Sequence, residues 1–305
     1  MISIPKILLI LLIIFILFIL IKLITSIMSL NNTISKPKIK PIIILLDLDR
    51  TMIGDIIPQS EEYYIIQNIN NELKNLDKKK IPFNFKRLEN ELRKNIIRPN
   101  LLKFLNLIRS YNNIEIYVYT ASDDKWAKTL IPRIEKAMNF KFNRPILTRN
   151  QTIVQNDNYR KSLKKVRPLI YKSIKNKYNL INENEIKNIM LFDDTLNVLI
   201  EKKLQINVPA YTSLYQIDYL RNIPDKLVKK YYIIIEEKLN LKHSTDINGF
   251  YSNYHDFIKR RYLYADANNK KFSNDIYWKK VYKIFKNNIE NTSFKKIIYL
   301  LNYIR

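Results

Sequence analysis

The 305-residue chain has no cysteine, two histidines and two glycines. Without cysteine there is no disulfide scaffold, no thiol nucleophile and no cysteine-ligated zinc. His243 and His255 are too few for a histidine metal centre or an imidazole relay. Gly54 and Gly249 cannot build a glycine-rich phosphate loop or a dinucleotide fingerprint, each of which needs several glycines close together. Acidic residues are also scarce, 28 against 53 lysines and arginines. Chemistry is therefore left to carboxylates, lysines and hydroxyls. At 47% hydrophobic and 12% aromatic, the chain is apolar enough to bury a core. Its length suits one large domain or two ordinary ones, and no internal repeat at a fixed period is present.

The formal net charge of +25 has two readings. It fits a phosphate-bearing, nucleic-acid or anionic-surface partner. It also fits a bias that inflates Lys, Asn and Ile together. The basic excess is only mildly graded along the chain, with +8 over residues 241–305, so no concentrated basic tail exists.

Ile7 to Ile21 is an unbroken run of fifteen apolar residues between Lys6 and Lys22. Fifteen helical residues cover only ~22 Å of a hydrocarbon core of ~30 Å. Leu23 to Met28 continue the apolar pattern, and Lys22 could snorkel towards a headgroup. No small-residue cleavage site follows the run, which favours an uncleaved anchor over a signal peptide. Residues 1–30 are thus expected to be a transmembrane helix and 31–40 a tether. Lys22, Lys36, Lys38 and Lys40 after the span place a single-pass protein's body in the cytoplasm.

The body alternates strand and helix patterns. Ile42 to Leu46 is a short all-apolar run, as in a strand buried on both faces, and ends in Asp47-Leu48-Asp49-Arg50-Thr51. A helical pattern follows Pro99, through Leu101, Leu102, Leu105 and Ile108. Ile114 to Tyr119 is β-branched and aromatic, ends in Thr120-Ala121-Ser122, and precedes a helical stretch over 123–138. Asn188 to Phe192 ends in Asp193-Asp194. Such alternation implies a parallel sheet, whose ligands sit beyond the carboxyl ends of its strands. Three strands ending in oxygen-bearing side chains therefore mark one place. Asp47 and Asp49, two apart, can face the same site. With a third carboxylate from Asp193 or Asp194 they would form an oxygen cage suited to Mg²⁺, and a carboxylate is the available nucleophile for covalent phosphoryl transfer. Any one of these aspartates alone would be read as a helix cap or turn residue.

Asp47-Leu48-Asp49-Arg50-Thr51 resembles the DxDxT motif of haloacid-dehalogenase-type phosphatases. More narrowly, the chain resembles the RNA polymerase II C-terminal-domain phosphatases and their small and membrane-anchored, NLI-interacting-factor-like relatives. The likeness continues in order through Arg98-Pro99, Lys103-Phe104-Leu105, Tyr117 to Ser122, Trp126-Ala127, Leu147-Thr148-Arg149, Tyr159 to Leu163 and Asp193-Asp194, over roughly residues 40–225. It implies a haloacid-dehalogenase-like (Rossmannoid) α/β domain over 41–225, a parallel sheet flanked by helices, followed by a helical basic extension over 226–305. It also implies a Mg²⁺-dependent phosphatase acting on phosphoserine or phosphothreonine of a phosphoprotein. Asp47 would be the nucleophile and Asp49 the general acid and base. Thr120 and Lys161 would bind phosphate. The metal would be held by Asp47, the backbone carbonyl of Asp49, and Asp194 with Asp193 close by.

The chain departs from the pattern in places. Arg50 stands where an acidic or small residue is usual, and Ser162 where Asp usually follows the motif lysine. Asp193-Asp194 replaces a frequent Asp-Asn pair, and 56–97 looks helical where the family commonly has strands. Two other readings stand beside the enzyme: a catalytically inactive membrane-anchored binding module of the same fold, and a nucleic-acid-binding protein. The latter would use aromatics beside Lys259-Arg260-Arg261 and Lys279-Lys280, although an ordinary helical appendage with a solvated basic face explains those residues equally simply.

Overall fold

Short aliphatic runs bounded by polar residues can bury both faces of a strand only when helices cover each side of the sheet. The computed structural model has that arrangement, and describes residues 15–26, 40–76, 78–214, 218–272, 274–290 and 293–304. In chain order, α1 (15–26) is followed by β1 (Ile42–Leu46), α2 (Ile57–Lys74), α3 (Phe85–Glu91) with a π-helical turn (Leu92–Ile96), and α4 (Leu101–Arg109). Next come β2 (Ile114–Val118), α5 (Asp124–Met138), β3 (Ile153–Gln155), β4 (Asn158–Arg160), α6 (Leu163–Tyr178), β5 (Asn188–Asp193) and β6 (Gln205–Asn207). Four helices close the chain: α7 (Asp225–Leu239), α8 (Ile247–Phe272), α9 (Tyr277–Asn288) and α10 (Phe294–Asn302).

The main sheet has the order β2-β1-β5-β6, and every pairing is parallel. Alternate residues of the strands enter two separate cores, as the two-residue period of a strand requires. Ile42, Ile44, Leu46, Met190 and Phe192 face a large core completed by α2, α4, α5 and the C-terminal helices. Ile43, Leu45, Ile189 and Leu191 face a smaller one against α6. Residues 40–305 form one compact unit.

Asparagine takes the positions that glycine usually fills. Asn139, Asn179 and Asn240 end α5, α6 and α7 with φ of 51°, 52° and 51°, the left-handed cap that glycine commonly supplies. Asn156 and Asp157, at φ 50° and 57°, turn the β3–β4 hairpin, whose strands are too short to stand out as a pattern. Neither glycine has a positive φ. Gly54 is required for a different reason: a Cβ there would lie 2.2 Å from the carbonyl oxygen of Ser213. The Gly54 N–H donates to Ile96 O at 2.7 Å, and the next N–H, of Asp55, to Ser213 O at 2.8 Å. The loop leaving β1 is thus pressed onto two neighbouring segments with no room for a side chain.

The amino-terminal expectation is corrected. Of residues 1–30 only 15–26 are described, and of the tether 31–40 only Lys40; the remainder lie outside the described residues. The described helix has twelve residues with exposed apolar side chains, about 18 Å long against the ~30 Å needed. Among the described residues no helix is long and apolar enough to cross a membrane. The assignment of a transmembrane anchor, and of a single-pass protein facing the cytoplasm, is therefore not supported.

Gly54→Ala should lower unfolding stability by about 1–3 kcal/mol, because the Ser213 carbonyl is backbone and cannot swing aside. Chemical denaturation of the two proteins side by side measures this, and equal midpoints would contradict it.

Candidate active site

Register alone brings the polar strand ends together. Leu46 pairs with Val118 on one side and Phe192 on the other, so Asp47, Tyr119 and Asp193 follow at one level of the sheet. The ladder runs one step further, with the Asp47 N–H donating to Phe192 O at 2.9 Å and the Tyr119 N–H to Leu46 O at 2.9 Å. Thr120 and Asp194 lie one residue beyond. The chain then turns at Arg50, a non-glycine residue with φ 60°, whose carbonyl accepts from the Tyr211 N–H at 2.8 Å. A cleft of about 300 Å³ opens at this edge, lined among others by Asp47, Asp49, Thr120, Ser122, Arg149 and Asp194.

Lys161 follows the hairpin and is fixed by backbone bonds to Val198 and Ile200 of 2.9 and 3.0 Å. Its ammonium is buried and donates to Asp47 Oδ1 at 2.5 Å and Asp193 Oδ2 at 2.6 Å. Burial alone would depress the ammonium's pKa; the charges of Asp193 and Asp47 outweigh it and hold Lys161 firmly protonated. Each oxygen of Asp193 has a partner, its Oδ1 accepting from the Thr195 N–H at 2.8 Å. Asp47 keeps one oxygen without a partner among the described residues. Thr51, buried behind the loop, donates its hydroxyl to Asp194 Oδ1 at 3.3 Å and accepts from the Asp194 N–H at 3.0 Å.

Asp47, Asp193 and Asp194 each offer a carboxylate oxygen within 4.8 Å of the others. Burial pushes Asp47 well above the ordinary carboxylate range; Asp193 and Asp49 add to this and Lys161 opposes it. Burial, with Asp193, pushes Asp194 up to about 6, against Arg50 and the Thr51 hydrogen bond. Three carboxylates share one lysine here, so the cluster carries uncompensated negative charge when ionised. Hard oxygen donors with surplus charge fit a divalent cation such as Mg²⁺, which would reverse these upward shifts.

Asp49 stands apart from this cluster. Its carboxylate lines the same cleft but accepts from the Ser122 hydroxyl at 2.6 Å. Burial raises its pKa, the Ser122 hydrogen bond opposes this, and Asp55 adds to it. A partly buried carboxyl held off the carboxylate cluster, with its pKa raised, is equipped to give and take a proton.

The family whose members are described as NLI interacting factor-like phosphatases matches residues 42–227, more than half of the chain. The chain belongs to that family. Among solved structures, Fcp1, an essential RNA polymerase II CTD phosphatase, shares 15% identity over 88% of this chain and 72% of that one, with a TM-score of 0.35. A fission yeast Fcp1 variant bound to beryllium fluoride shares 14% over 85% and 70%, at 0.33. A haloacid dehalogenase-like hydrolase from Xanthomonas campestris shares 10% over 65% and 98%, at 0.29. With TM-scores this low, the assignment rests on the family match. No curated protein matches the chain.

Several residues of this phosphatase-family site received no role from the sequence. Ser122 and Arg149 sat inside motif segments without a role. Arg149 donates through Nε to Ala121 O at 2.8 Å, lies over the Tyr159 ring and lines the cleft. Arg98 is buried beneath the loop, donating to Pro209 O at 2.8 Å and to both oxygens of Asp275 at 3.1 and 2.8 Å, with the Tyr211 and Tyr277 rings on it. Trp278, also buried, stacks on Phe104 and donates its indole N–H to Thr51 O at 3.3 Å. It therefore offers no face for a nucleic-acid base. The start of α9 thus backs the segment that carries Asp47 and Asp49.

Asp275→Asn leaves the buried Arg98 guanidinium without its counter-charge, and should cost about 3–5 kcal/mol of stability. Thermal or denaturant unfolding reads this. A loss below about 1 kcal/mol would show that the pair does not tie α9 to the site loop.

Proposed function

We propose that the chain is a Mg²⁺-dependent phosphatase that hydrolyses phosphoserine or phosphothreonine of a protein substrate through an aspartyl-phosphate on Asp47. The carrying observation is that Asp47 and Asp49, two residues apart, share one cleft but have opposite surroundings. Asp47 is bound to Lys161 within the carboxylate cluster, and Asp49 is held by Ser122 away from it. In this reading 41–225 is the phosphatase domain and 226–305 the extension that backs it.

An oxygen of Asp47 attacks phosphorus as the phosphorus–oxygen bond to the serine or threonine breaks, and protonated Asp49 delivers its proton to the departing oxygen. Asp49, now ionised, takes a proton from the water that attacks the same phosphorus, and Asp47 and inorganic phosphate are released. Lys161 neutralises charge between Asp47 and Asp193, and Thr120 offers its hydroxyl to a phosphoryl oxygen. Asp47, the Asp49 carbonyl and Asp194, with Asp193 beside it, would hold Mg²⁺, which would supply positive charge to the phosphoryl oxygens.

Turnover of an aryl phosphate and of a phosphoserine peptide should be present with Mg²⁺, abolished by chelation and restored by adding the ion back. Asp47→Asn should abolish it, and Asp49→Asn should lower kcat by about 10²–10⁴. Equal inertness of wild type and Asp47→Asn, with phosphopeptide binding intact, would replace the enzyme with a binding module.

A further inference from the structure

The catalytic chemistry leaves one wall of the site unused. Arg50, Asp55 and Ile57 line both the catalytic cleft and an adjoining cavity of about 330 Å³, whose other side is built from Phe257, Arg260, Arg261 and Tyr264 of α8. A further cavity of about 520 Å³ shares Phe257, Arg260 and Arg261 and reaches Lys238 and Lys242 at the end of α7. The three cavities are linked through common side chains, and the walls that α7 and α8 give the outer two lie beyond residue 227, where the family match ends.

Charge along these cavities is uneven. Asp55 is held by Arg50 at 3.5 Å and by the Ile57 N–H at 3.0 Å. Glu61 lies 4.0 Å from Arg261, whose guanidinium is over the Phe257 ring, so Arg261 serves the packing of α8. Arg260, Lys238 and Lys242 are different, having no carboxylate partner among the described residues. Asp256 is the one further acid in the outer cavity. Of the two aromatic rings that line these cavities, Phe257 is packed on Tyr219 at 5.5 Å and Tyr264 is exposed in the inner one.

We infer that this groove binds an acidic stretch of the phosphoprotein substrate, with Arg260 receiving a carboxylate or second phosphate that flanks the scissile phosphoryl group. A guanidinium presents a planar fork matched to both anions. Arg50 stands at the junction of the two cavities, and its departure from the family pattern acquires a role there, closing the catalytic end of the basic path. This inference rests on the phosphatase reading for its substrate, and its test separates the two.

The full chain carrying Asp47→Asn, which blocks turnover, is titrated at low salt with three labelled phosphoserine peptides. One is flanked by Asp and Glu, one by Asn and Gln, and one carries a second phosphoserine among neutral neighbours. The acidic peptide should bind about tenfold tighter than the neutral one, and the preference should shrink as salt rises. The doubly phosphorylated peptide tells whether a phosphate serves as well as a carboxylate. Adding the exposed substitution Arg260→Glu should erase the preference, and Arg260→Lys should keep part of it; Lys242→Glu provides an independent second site. In parallel, wild type is assayed on an aryl phosphate. Aryl phosphate hydrolysis with equal binding of acidic and neutral peptides overturns the groove and spares the phosphatase. No hydrolysis with the preference intact overturns the phosphatase and spares the groove. An unstructured oligonucleotide that displaces the acidic peptide at lower concentration overturns the assignment of a peptide.

Discussion

The site depends on one ammonium group. Asp47 and Asp193 end adjacent parallel strands, and both are buried, so two carboxylates of like charge meet in a low-dielectric setting that would favour neutralising one of them. Lys161 bonds to both within 2.6 Å and remains charged because of them. The strand ends can therefore stay side by side with one oxygen of Asp47 left over. Remove the lysine and the register of the sheet would still bring the carboxylates together, but as a repelling pair. The hairpin, though it belongs to no core strand, delivers this group and so has a structural weight beyond its six paired residues.

The remaining support comes from behind. The loop from Asp47 to Gly54 turns sharply, exposes two carboxylates to the cleft and sinks Leu48, Met52 and Ile53 into the large core. Its backbone is gripped by distant segments: Gly54 by Ile96, Asp55 by Ser213, Arg50 by Tyr211 and Thr51 by Trp278. Arg98 and Asp275 fasten the last of these layers. The C-terminal helices are thus part of what positions the site, and α8 goes further by walling a path into it.

Much of the fold could be read from the chain. Apolar runs at Ile42, Ile114 and Asn188, each ending in an oxygen-bearing side chain, announced a parallel sheet with a ligand end, and the sheet is there. Asp47, Asp49, Thr120 and Asp194 do line one cleft, with Lys161 and Asp193 buried beside it. Other features carried no local signal. The Arg98–Asp275 pair joins residues 177 apart; Arg98 lies in a motif segment, but nothing near Asp275 marks it as the partner. Trp278 belongs to an apolar helical face with Val281 and Phe285 and is fully buried, while its basic neighbours Lys279 and Lys280 fall on the other side of the helix; the face is legible, but its docking beneath the Asp47–Gly54 loop is not. The hairpin was hidden because Asn156-Asp157 performs the turn that a glycine would have advertised. The apolar amino-terminal run misled in the other direction: hydropathy summed along a sequence does not establish a spanning helix, and the described portion is too short to be one.

The central claim is that Asp47 becomes covalently phosphorylated. A single turnover of the full-length protein on a phosphoserine peptide with Mg²⁺, quenched in acid and reduced with borohydride, converts an acyl-phosphorylated aspartate to homoserine, which peptide mapping locates. The account predicts homoserine at position 47 in wild type and none in Asp47→Asn. Phosphate release without homoserine at 47, or with it at another aspartate, would contradict it.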